Sequence, residues 1–378
     1  LDTAGFDRTK LTAYSVYEIM AEVKRIGILT SGGDCAGLNA VIRAVVFRAS
    51  TYGWKVFGIS RATNGLMARP PEFIALDIEK VDRFLTHGGT LLGTTNKGDP
   101  FAFPMPDGQV IDRSEEIIEG YRLLELDAII GIGGDGSMAI LRRLAQQGGM
   151  NLITIPKTID NDVDITERSI GFDTAVNIAT EALDRLHFTA ASHSRAMILE
   201  VMGRDAGHIA MSAGIAGGAD VILIPEIPYT ISNLCRKLDE RQAQGKNYSL
   251  IIVSEAVKTE TGDAISCTHA HGEMRYGGIG QYLAESIHAC NGAETRVTVL
   301  GHVQRGGTPS PLDRLLAAAF GVAAVDLIAA GRFDRMVGWH DRQVIDVPIR
   351  DAIQNYCVVD PDSTLVKTAR GLGIYLGD

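Results

Sequence analysis

"RIGILTSGGDCAGLNAVIRAVVFRAS", Arg25–Ser50, decides the fold. Its first six residues form a short, mostly apolar run, as befits a strand buried on both faces of a parallel sheet. A glycine-rich turn follows. From Gly37 to Ser50 the residues Leu38, Val41, Ile42, Val45, Val46 and Ala49 recur on one side of a helix. The same order returns in "DAIIGI" (Asp127–Ile132), "SMAILRRLAQQ" (Ser137–Gln147) and the strand "NLITIP" (Asn151–Pro156). Four more apolar runs follow, "RAMILEVM", "VILIPE", "SLIIVSEA" and "RVTVLG", most of them separated by helical stretches. Alternating strands and helices with buried strands predict an α/β fold with mainly parallel sheets.

The chain has 378 residues, of which 46% are hydrophobic, enough for two domains. Five scattered cysteines without a C-x-x-C pair argue against a disulfide framework or a structural zinc site. A net charge of −10 disfavours nucleic acid as a partner. No apolar run approaches the roughly 20 residues that span a bilayer. The first 20 residues lack the charged start and apolar middle of a secretory leader. The expectation is a soluble, cytoplasmic protein with no membrane partner. An anionic substrate would need locally concentrated Arg and Lys.

Ligands of open α/β sheets bind beyond the carboxyl ends of the strands. After the first strand comes "SGGDCAGLN", Ser31–Asn39, where glycines and a helix start can receive an anion or simply make a tight turn. After the next comes "GGDGS", Gly133–Ser137, with Asp135 placed to hold Mg²⁺ or to cap the helix. After the third comes "KTIDNDVD", Lys157–Asp164, where one carboxylate could accept a proton from an alcohol under phosphorylation. Arg195 and Arg296 begin two later strands, and Arg204 and Arg305 follow them. Guanidinium forks suit phosphate oxygens, so four of them in an acidic chain point to a sugar phosphate. Glu255, after another strand, could take sugar hydroxyls or remain a rim charge.

The ordered segments "GILTSGGDCAGLNAVIRA", "IGGDGS", "TIDND", "GFDTA", "VMGRDAGHIA", "AGGAD", "IPE", "ETRVTVLGHVQRGG" and "DRLLA" resemble the phosphofructokinase family from about Arg25 to about Gly331. The resemblance implies two similar three-layer αβα domains with the active site in the cleft between them. It implies a nucleotide-binding domain at 25–171 plus 304–354 and a fructose 6-phosphate-binding domain at 172–303 plus 355–378. Residues 1–24 would be an N-terminal extension. It implies phosphorylation of the 1-hydroxyl of fructose 6-phosphate, with Mg²⁺ and ATP.

Residue by residue, the resemblance places Gly32 and the loop of Gly133, Gly134, Asp135, Gly136 and Ser137 on the donor phosphates, with Asp135 on the metal. Asn96 and Lys97 stand where common bacterial members carry an arginine near the nucleotide. Asp160 would be the base, with Lys157 and Arg204 as further catalytic groups and Thr158 and Ile159 beside the substrate. Met202, Gly203, Glu255, His302, Val303, Gln304 and Arg305 match substrate-binding positions. Arg195 and Arg296 match arginines that reach the sugar phosphate from a neighbouring subunit, which implies a homo-oligomer, a tetramer or dimer, with shared sites. Gly136 matches the ATP-using branch and Lys157 the pyrophosphate-using one. An aspartate at 136 would repel a nucleotide, whereas a lysine at 157 need not exclude it, so ATP is the expected donor and pyrophosphate the alternative. A non-catalytic regulatory subunit is disfavoured because Asp135 and Asp160 are both present.

Overall fold

The computed structural model describes residues 24–105, 107–268 and 274–377. Residues 1–23, where the N-terminal extension was expected, lie outside the described residues. The opening stretch folds as read, into the strand Arg25–Thr30 and the helix Leu38–Thr51. The strand sits at the centre of an eight-stranded sheet. From one edge the order is Gln343–Pro348, Arg335–His340, Leu152–Thr158, Ala128–Gly133, Arg25–Thr30, Lys55–Ile59, Phe73–Leu76, and the short Ile170–Gly171 pairs beside Leu152–Thr158. The inner strands are parallel and both edge strands antiparallel. A second sheet, Val221–Leu223, Ser249–Ser254, Ala196–Val201 and Thr295–Val299, is parallel throughout.

Strand side chains alternate between faces, and the core divides accordingly. Ile26 and Ile28 pack with the helices Leu38–Thr51 and Pro311–Ala329, while Leu29 packs with Ser114–Leu123 and Asp135–Gly148. In the second sheet Leu199, Val201 and Ile252 face the helices Phe172–His193 and His208–Ala216. Ile198, Ile251 and Val253 face Ile231–Ala243 and Ile279–Asn291. The fold is therefore α/β, with helices on both faces of each sheet and three layers in each unit. One apolar cluster runs without a break from Ile26 through Phe172 and Leu183 to Ile222 and Leu376.

Two elements extend beyond their sequence limits, for local reasons. The helix expected from Ser137 starts at Asp135, because a carboxylate in the first turn complements the helix dipole. The strand "NLITIP" runs on to Thr158. Pro156 is tolerated there because the neighbour Arg335–His340 pairs only as far as Thr154 on that side. The expected loop Thr94–Gln109 holds one strand of a short hairpin, Phe103–Pro104 with Val110–Ile111. The expected loop Lys258–Gly278 holds the pair Ser266–Thr268 and Met274–Tyr276.

Two buried carboxylates fix helix starts near the cleft. Glu200, in mid-strand, accepts from Gly278 N–H at 3.1 Å and Gly280 N–H at 2.8 Å, ahead of and within the start of Ile279–Asn291. Asp313 accepts from Gly171 N–H at 3.0 Å and Thr174 N–H at 2.9 Å, which satisfies the start of the 22-residue helix Phe172–His193.

Candidate active site

The carboxyl ends of the large sheet open onto a cavity of about 490 Å³, and the space between them and the second sheet holds another of about 870 Å³. Both volumes suit a small-molecule ligand. Asp160, Arg204 and Arg305 line both cavities and mark where they meet.

In the first cavity lie Gly32, Asn96, Lys97, Gly134, Asp135, Gly136, Ser137, Lys157 and Thr158. Gly134 is the N-cap of Asp135–Gly148, so unbonded N–H groups of the first helical turn meet the cavity. A Cβ on Gly136 would meet nothing within 4 Å. Beyond it the wall turns apolar with Ile140, Leu141 and Pro100. The first glycine loop behaves differently from a helix-terminus anion site. Gly32 and Gly33 reach the cavity, whereas Cys35, Leu38 and Asn39 are buried, so the start of Leu38–Thr51 does not face it. Gly33 is open for another reason: a Cβ there would lie 2.7 Å from Arg305 Nη1, which donates to the Asp34 carbonyl at 3.2 Å.

Lys157 is buried, and its Nζ donates to the Gly33 carbonyl at 2.5 Å. Burial holds its pKa below the ordinary lysine value. Thr158 Oγ1 accepts from the Asp160 N–H at 3.1 Å and lies 3.4 Å from Asp160 Oδ2. Asp160 is 7% exposed, and its Oδ1 is buried with no hydrogen-bond partner. Burial first, and the Asp162 carboxylate second, push its pKa up to about 6. Ile159 is buried behind this turn, and Gly133 ends the strand before the helix; neither lines a cavity.

The second cavity collects Met202, Glu255 and His302. Glu255 Oε1 accepts from the Arg204 N–H at 3.1 Å, and burial lifts its pKa to about 7. The Arg204 backbone is left-handed, φ 51°, an uncommon state for a non-glycine residue and one that clusters at functional sites. Its guanidinium lies 3.4 Å from Asp135, 3.7 Å from Asp162 and 3.9 Å from Asp205. Gly203 is required because a Cβ would meet the Ala206 carbonyl at 2.5 Å. Gln304 is buried and accepts from the Met202 N–H at 2.7 Å, so it shapes the wall from behind. Val303 is exposed outside both cavities.

Arg195 and Arg296 stand apart from all of these. They lie at the amino ends of the adjacent strands Ala196–Val201 and Thr295–Val299, both paired with Glu294, at 2.9 and 2.6 Å. Sequence reasoning missed Thr63 and Tyr276, which line the cavities from separate segments with no shared local pattern, and Asp205, which lies beside Arg204 in the quoted segment.

The family model described as phosphofructokinase matches residues 25–328. The chain is 71% identical over 359 residues to ATP-dependent 6-phosphofructokinase 1 of Nostoc sp., covering 95% of this chain and 100% of that one. It is 46% identical over 358 residues to ATP-dependent 6-phosphofructokinase of Chloroflexus aggregans, covering 94% and 98%. Among solved structures it is similar to Pichia pastoris phosphofructokinase in the T-state, with TM-score 0.77, 28% identity and 88% of this chain covered but only 35% of that longer one. It shares its fold with pyrophosphate-dependent phosphofructokinase from Marinobacter aquaeolei, with TM-score 0.77 at 21% identity over 94% of this chain and 93% of that one. With the family model matching most of its length and relatives matching it nearly end to end, the chain belongs to the phosphofructokinase family.

Proposed function

We propose that the chain transfers the γ-phosphoryl group of ATP to the 1-hydroxyl of fructose 6-phosphate, giving fructose 1,6-bisphosphate and ADP. The observation that carries this reading is Asp160. It has a buried, unpartnered carboxylate oxygen, and it lines both cavities together with Arg204 and Arg305. A sugar hydroxyl would fill its empty hydrogen bond and give it a proton as the phosphoryl group arrives. The donor phosphates would rest on Gly134–Ser137, and the sugar phosphate would occupy the second cavity with Met202, Glu255 and His302. Arg204 and Arg305 would neutralise the charge in transit.

Asp135 would hold Mg²⁺, which commonly takes one or two carboxylates and completes its shell with phosphate and water. The donor fits, since the Asp135 carboxylate lines the first cavity at the proposed phosphate loop. The ion would spread the negative charge of the phosphates.

Three observations favour ATP over pyrophosphate. The space at Gly136 is open, the wall beyond it offers apolar surface to a base, and Lys157 already holds the Gly33 carbonyl. The relatives quoted above at 71% and 46% identity are named for ATP. Formation of fructose 1,6-bisphosphate, assayed with Mg²⁺ and each donor separately, tests the reading. Turnover with pyrophosphate and none with ATP overturns it.

The domain division proposed from sequence is supported by the return of the last described residues to the second sheet, where Tyr375 bridges to Val221. Among the described residues no helix is long and apolar enough to cross a membrane. A cytoplasmic homo-oligomer with shared sites belongs to the same proposal.

A further inference from the structure

The segment Asn355–Val359 bonds to both walls of the site. On one side Asn355 Nδ2 donates to Asp164 Oδ2 at 3.0 Å, and the Cys357 N–H donates to the Asp162 carbonyl at 2.9 Å. On the other side the Cys357 carbonyl lies 3.2 Å from His208 Nε2, and the Val359 N–H donates to Glu226 Oε1 at 2.8 Å. Glu226 also accepts from the Gly207 N–H at 2.9 Å. One short strap thus ties the aspartate turn to the start of the helix His208–Ala216, four residues after Arg204.

Tyr356 is the strap's side chain that reaches the charges. The Arg204 guanidinium lies over its ring, 5.8 Å from the centroid. Its hydroxyl is buried beside Asp162 and closes no hydrogen bond of good geometry. Tyr356 lines neither of these two cavities and stands behind Arg204, which lines both.

Arg204 is held by long ion pairs and its side chain is half exposed, so it can turn toward an arriving phosphoryl group. Doing so leaves Asp162, 2% exposed, without its cation. A buried carboxylate that loses its partner is costly. We propose that Tyr356 is a positioning residue for phosphoryl transfer: its ring carries the Arg204 guanidinium, and its hydroxyl takes over Asp162 when Arg204 turns to the phosphate. This rests on the phosphotransferase reading above.

The test is steady-state kinetics on the full chain with ATP, Mg²⁺ and fructose 6-phosphate. Tyr356→Phe removes the hydroxyl and lowers kcat about threefold; Tyr356→Leu also removes the ring and lowers it roughly 10–30-fold, the scale of a cation–π contact added to a lost hydrogen bond. KM for fructose 6-phosphate stays within about twofold, because the interaction acts as the phosphoryl group moves. In an Arg204→Lys background, which keeps the charge but loses the flat face, the extra effect of Tyr356→Leu collapses. An undiminished effect in that background, or wild-type kcat in Tyr356→Phe, overturns the proposal. If Tyr356→Leu gives no cooperative melt, the Phe variant alone decides by the same criterion. A wild-type chain that cannot use ATP refutes the parent reading instead, and is seen before any variant is made.

Discussion

Asp160 faces two opposed demands. A base must be ionised, yet burial resists ionisation and holds this carboxyl up to about 6. The rate at low substrate therefore rises with pH through about 6 and levels above it, as a pH profile of kcat/KM would record. A profile flat down to pH ~4 would exclude Asp160 as the base. Asp160→Asn lowers kcat by roughly 10²–10⁴. The same change raises stability. A carboxyl whose folded pKa exceeds its unfolded one binds protons more tightly when folded, so stability falls as pH rises from about 4 through about 6. Above that window the ionised group costs on the order of 2–3 kcal/mol, which the amide avoids. Thermal melts at pH ~8, well above that window, should show the inactive variant melting higher than wild type. Gly136→Asp has room to fold, since nothing lies within 4 Å of its Cβ position. Its charge would repel a nucleotide, and kcat/KM for ATP should fall by at least roughly tenfold. The turn Lys157–Asp162 was legible in the sequence because its residues are neighbours in the chain. The contact of Arg305 with Gly33, and of Tyr356 with Arg204, was not: partners far apart in the chain leave no spacing to read.

At the scale of elements, the strands and helices followed from apolar period and glycine position, and their ends shifted by only a few residues. What the period could not show is which polar residues inside an element face inward. Glu200 reads as one charge in an apolar strand, yet it holds the start of a helix that begins far downstream. Asp313 reads as a first-turn acid of its own helix, and it also serves the start of another. Asp313→Ala would leave the Gly171 and Thr174 N–H groups buried and unpaired. At about 1–3 kcal/mol for each such group, urea unfolding should show a loss on the order of 3 kcal/mol. A loss below about 0.5 kcal/mol, the size of an ordinary surface change, would mean that the helix start is satisfied some other way.

For the whole molecule, the position of Arg195 and Arg296 is the informative one. The six residues of Ala196–Val201 set them roughly 20 Å from Arg204 along the strand. A single copy cannot bring both ends of that strand to one substrate, which is why a neighbouring copy is proposed to supply them. Coexpressing Asp160→Asn with Arg296→Ala subunits should yield hybrids more active than either parent, since some sites then join two intact halves. Activity no higher than the parents would leave each copy self-sufficient. The apolar cluster that joins one face of each sheet has a further consequence. Because that cluster is shared by both sheets, melting one without exposing the other is unfavourable, and calorimetry should record a single endotherm. ATP, whose phosphates are proposed to rest on loops of the first sheet, should then move that endotherm upward as one peak. Occupancy at one end of the molecule would thus protect amides in the strands of the other from exchange with solvent.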